Sequence, residues 1–142
     1  GNMFDSEDPA DPWSAEGLTV YTTYRIVKEL YGADHAQEYY VDQWKREVED
    51  YYLNFYVRRP EYLEALPEAE RLAISNSLSG MRQYSEMPLK ILKAEELVGG
   101  EAAMDEILYG LFNRELDPMY PYLTYQEFLD ACGLTEEDLT LD

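Results

Sequence analysis

A carboxylate, Glu16, stands at the head of an apolar helical stretch, within Trp13-Ser14-Ala15-Glu16-Gly17-Leu18-Thr19-Val20 and followed by Tyr21. In the first turn of a helix an acidic side chain can do two things. It can complement the positive end of the helix dipole, or it can offer oxygen ligands to a metal ion. A catalytic zinc takes three protein ligands and keeps a fourth position open. The chain has one histidine, His35, with no histidine four residues on, and one cysteine, Cys132. Neither builds a metal site, and no internal disulfide is possible. A single cysteine also leaves the compartment undecided.

The elements that must position Glu16 follow from composition and periodicity. A chain of 142 residues with 46% apolar and 29% charged residues is long enough for one domain with its own core. Thirty acidic against eleven basic residues give a formal charge of −19, a field that repels polyphosphate and anionic lipid, so nucleic acid is not an expected partner. No apolar run is long enough to form a membrane segment.

Residues 1–12, rich in Asp, Glu and Pro, read as an extended acidic lead-in. Helix signals start with Ser14 as a cap and run to Gly32, predicting a helix over about 14–31. From Asp34 to about Arg58, Tyr40, Trp44, Val48, Tyr51, Tyr52 and Phe55 recur at three- and four-residue steps. This predicts a long helix with an aromatic stripe facing the core. Pro60 and Pro67 each open a short helical turn, residues 75–80 read as a polar break, and a further helix runs from about Met81 to Val98 with Pro88 near its start. Helices over about 101–113 and from Thr124 to Cys132 follow, the latter opened by a capping box with Glu127 and stopped by Gly133. With no period-two run, the expected fold is all-α, an antiparallel helical bundle, with 1–142 as a single helical domain.

Three segments carry a resemblance to a known family. The stretch around Glu16 resembles the W-L-x-E-G-[FL]-A-x-Y segment of the aminopeptidase-N-like zinc metallopeptidases (gluzincins), and Gly1-Asn2 falls where that family has the end of Q-W-F-G-N. Tyr84-Ser85-Glu86-Met87-Pro88, with Ile91 and Leu92 after it, is similar to the family's Y-x-K-G-P-x-x-x-L, although Glu86 replaces the usual Lys and Met87 the usual Gly. Tyr122-Leu123-Thr124-Tyr125-Gln126-Glu127-Phe128 through Gly133-Leu134 resembles the closing T-x-x-D-F and G-x-x-L segments. The family's H-E-x-x-H is not in this sequence; the register places its second His four residues before Gly1.

The resemblance implies a helical C-terminal part of a thermolysin-like catalytic domain, cut after its zinc helix. In that scheme peptide substrate is hydrolysed by zinc-activated water, Glu16 is the third zinc ligand, and Tyr84 donates a hydrogen bond to the oxyanion. Arg82 beside it reads as one half of a surface ion pair. The chain alone would hold no zinc tightly and would be inactive. Two other readings stand beside it: a pseudopeptidase or non-catalytic interaction module on the same scaffold, and an unrelated acidic helical domain whose aromatic stripe meets a partner. Removal of an upstream half would uncover apolar surface and favour self-association.

Overall fold

The computed structural model describes residues 17–114 and 123–141. The lead-in 1–12, Glu16, the expected helix start near 14 and the Pro118–Pro121 loop lie outside them. Every regular element among the described residues is helical: α1 (Leu18–Tyr31), α2 (Ala33–Ala36), a π-helical turn (Gln37–Val41), α3 (Asp42–Asp50), α4 (Asn54–Arg58), α5 (Pro60–Glu64), α6 (Glu68–Met81), a second π turn (Arg82–Glu86), α7 (Met87–Val98), α8 (Glu101–Phe112), α9 (Tyr125–Cys132) and a closing 3-10 turn (Glu137–Leu139). The chain is an all-α helical bundle. Among the described residues no helix is long and apolar enough to cross a membrane.

The core is built by α1, α7, α8 and α9, where Leu18, Ile91, Met104 and Phe128 are fully buried, joined by Leu123 just before α9 and Leu139 on the closing 3-10 turn. Trp44 on α3 joins them from the side. Its ring meets Tyr24 edge-on at 5.5 Å and Tyr40 at 6.0 Å, the arrangement that aromatic quadrupoles favour.

Two helix ends show how local chemistry sets the frame. At the end of α7, Gly99 takes φ 112°, and the Gly100 and Gly99 amides donate to the carbonyls of Glu95 and Glu96. This is a Schellman closure that needs a residue free of the Cβ penalty. At α9 the Thr124 hydroxyl accepts from the Glu127 amide, the Glu127 carboxylate accepts from the Thr124 amide, and Gly133 closes the helix in the left-handed region.

The structure corrects two expectations. The single helix over 34–58 is broken at Tyr51, which is extended at φ −61°, ψ 128°. The Asn54 amide donates to the carbonyls of Val48 (2.8 Å) and Glu49 (3.2 Å), and the Tyr51 hydroxyl donates to the carbonyl of Ser77 at 2.9 Å. The Asn54 bonds satisfy two of the final carbonyls of α3, the Tyr51 bond ties the break to α6, and apolar spacing reveals neither.

Residues 75–80, expected as a break, are helical. Burial of Leu78 and Met81 at the end of α6 outweighs the propensity cost of the serines and Gly80, about 0.5–1 kcal/mol per residue. The path continues through the π turn into α7 with helical backbone angles at Arg82 and Met87. Pro88 sits in the first turn of α7. Its missing N–H and its ring's clash with the carbonyl four residues back both fall on the widened turn.

Candidate functional site

Tyr84 lies on the π turn between α6 and α7, a local widening of the kind that recurs at functional sites. Its side chain is 51% exposed. Among the described residues the phenol has no hydrogen-bond partner, so its donor is free to meet a ligand. Beside it Arg82 pairs with Glu86 at 3.7 Å, the surface ion pair expected from the sequence. Glu86 also meets Lys90 at 3.4 Å, and Lys90 reaches on to Glu136 at 2.5 Å. The carboxylate at position 86 is therefore offset by two cations.

Glu16 lies outside the described residues, so the structure does not bring it and Tyr84 together or hold them apart. Its immediate successors, Gly17 and Leu18, are buried, and α1 packs directly on α7, the helix that continues from Tyr84's turn. His35 is exposed and stacked between the rings of Tyr31 (5.3 Å) and Tyr39 (4.6 Å). Cys132 is half-buried, and burial pushes its thiol up to about 11, which suppresses thiolate chemistry at neutral pH. Among the described residues no three His, Cys, Asp or Glu side chains are grouped to hold a metal ion. The described part of the chain thus does not complete a zinc site. A carboxylate from Glu16 suits zinc only as one member of a larger ligand set.

The densest polar cluster was not anticipated from the sequence. The Tyr21 hydroxyl donates to Glu95 Oε1 at 2.6 Å, and both residues are buried. The Arg25 guanidinium donates from Nη1 to the Tyr21 hydroxyl at 2.9 Å and lies 3.5 Å from Glu95. Its Nε meets Glu101 at 2.7 Å and its Nη2 meets Asp105 at 3.0 Å. Lys28 adds a contact to Glu101 at 3.3 Å.

Burial raises the Tyr21 pKa, the bond to Glu95 adds to the rise, and Arg25 opposes it. For Arg25 burial works against the charge, but hydrogen bonds with Asp105 and Tyr21 outweigh it and raise the pKa. A cleft of about 460 Å³ runs beside the cluster, lined by Thr22, Ile26, Glu29 and Leu108 as well as the ionic residues. One faint signal precedes the structure: Glu95 sits four residues after Ile91, on the face α7 turns to the core.

Fold and site together define an all-α bundle with a surface-facing phenol on a π turn, Tyr84, and an ionic cluster that joins three helices. Comparison of the chain with protein-family models, curated proteins and solved structures gave no match.

Proposed function

We infer that this chain is the helical C-terminal part of the catalytic domain of a zinc metallopeptidase of aminopeptidase type, contributing Glu16 to the metal and Tyr84 to the oxyanion. The observation that carries the reading is Tyr84: a half-exposed phenol without a hydrogen-bond partner among the described residues, on a π turn that leads into a helix with proline in its first turn. A phenol in that state can donate to charge developing on a scissile carbonyl oxygen. A donor so aimed is worth on the order of 10² to 10³ in rate. Zinc, when bound, supplies Lewis-acid polarisation and lowers the pKa of water. The upstream histidines and the general base belong to residues preceding this sequence, so the chain alone is inactive in this reading.

The test uses the whole polypeptide that carries this sequence, with zinc content and peptide hydrolysis measured for wild type, Glu16→Gln and Tyr84→Phe. Glu16→Gln is expected to lose zinc and hydrolysis together. Tyr84→Phe should keep zinc and lose about 10²-fold or more in turnover. Unchanged turnover in Tyr84→Phe removes its role, and undiminished zinc in Glu16→Gln removes the ligand.

One observation favours the second reading, a non-catalytic interaction module. Tyr52, Phe55, Tyr62 and Leu72, on and around α4 to α6, are all exposed apolar side chains, suited to a partner or to self-association. A whole polypeptide that binds no zinc and cleaves no peptide would select it.

A further inference from the structure

We propose that Arg25 is a positioning residue: its guanidinium sets the register of α1 against α7 and α8, and so the placement of α1 relative to the turn that carries Tyr84. The planar fork uses each nitrogen on a different partner: Nε on Glu101, Nη1 on Tyr21 and Glu95, Nη2 on Asp105. A lysine, with a single point charge, cannot bridge that set.

The carboxylates come from two helices and the cation from a third, so the cluster holds all three at once. The Glu95 side chain is 8% exposed and that of Arg25 19%. Burying such charges costs about as much as their attraction returns, whereas apolar side chains would give cohesion without that cost. The arrangement adds direction. Apolar faces tolerate sliding and rotation, but a fork satisfied by four oxygens from three helices allows one alignment.

The lever arms make that alignment matter. Tyr21 and Arg25 lie within the first eight residues of α1. Glu95 is eleven residues after Tyr84, about 16 Å along a helix at 1.5 Å per residue, through a backbone that stays helical. A rotation of α1 against α7 at the cluster therefore displaces α1 relative to Tyr84.

The test reads geometry rather than turnover. In a Cys132→Ser background, spin labels at Thr23→Cys on α1 and Tyr84→Cys report the distance between the two arms by pulsed electron resonance. Arg25 intact should give one narrow distance peak. Arg25→Met and Arg25→Lys should both lose it while far-UV dichroism stays helical. Leu129→Ala, which weakens the core elsewhere, should keep the peak, separating positioning from general stability. If Arg25→Met does not fold, Glu101→Gln with Asp105→Asn removes the two outer partners and should also lose the peak. An unchanged peak in Arg25→Met, or in the double variant where Arg25→Met is unfolded, overturns the proposal. The measurement needs no zinc. Loss of the peak in a protein whose whole polypeptide takes up no zinc would end the peptidase reading and leave the positioning role standing.

Discussion

Helix α7 buries six of its twelve residues, whereas α4 and α5 bury none and α6 buries only Leu78 and Met81 at its end. The two regions differ in charge as well. Residues 54–84 hold Arg58, Arg59, Arg71 and Arg82 against Glu61, Glu64, Glu68 and Glu70 and are neutral, so the full −19 falls on the remainder. The strongly acidic part is the well-packed one, tied by the Arg25 cluster. The neutral part displays Phe55, Tyr62 (54% exposed) and Leu72. Apolar composition thus does not decide burial. What decides it is whether another element stands opposite: in the α4 to α6 arm, α4 and α5 meet each other, and α6 is covered at its end, where Leu78 and Met81 are buried and Ser77 accepts from Tyr51.

That contrast can be broken at its strongest point first. Phe128→Ala, in the fully buried core, should cost about 3–5 kcal/mol in urea unfolding, while Phe55→Ala on the arm should cost less than about 1 kcal/mol. Equal costs would mean that the arm is as integral as the core.

The ionic interactions divide the same way. Glu95→Ala leaves Arg25 and Tyr21 partly buried without their shared acceptor and should cost on the order of 3 kcal/mol. Arg59→Ala loses only an exposed pair with Glu61 at 3.9 Å and should change the urea midpoint very little.

The mildest test is alkaline. The raised Tyr21 pKa means that the folded state keeps the phenol protonated where the unfolded chain has begun to release it, near pH 10. Its contribution is complete below that pH and is lost as pH rises from about 10 through the folded value. Midpoints measured between pH 8 and 11 should fall more steeply in wild type than in Tyr21→Phe; identical slopes would place the alkaline loss on other groups.

The elements legible in the sequence are those whose signals act within one turn. The Thr124–Glu127 box, the Gly133 stop, the Gly99-Gly100 closure and the proline starts at α5 and α7 each satisfy or remove backbone hydrogen bonds a few residues away, so residue types suffice to place them. The break at Tyr51 escaped because its causes are a side-chain amide and a hydroxyl bonded to a carbonyl on another helix. The helical state of 75–80 escaped because burial of Leu78 and Met81 overrode local propensity. At the candidate site, Tyr84 was singled out by its motif. Its exposure and its free donor were visible only in the structure.

By itself the sequence determined an all-α chain, its acidity, most helix ends and the candidacy of Glu16 and Tyr84, because periodicity and capping are properties of neighbouring residues. Only the tertiary structure decided that Tyr21 and Arg25 meet Glu95, some 70 or more residues further on, and that Tyr52 and Phe55 at the end of the aromatic stripe lie open. Pairings at that separation depend on which helix faces settle against one another, and neither spacing nor propensity along the chain carries that information.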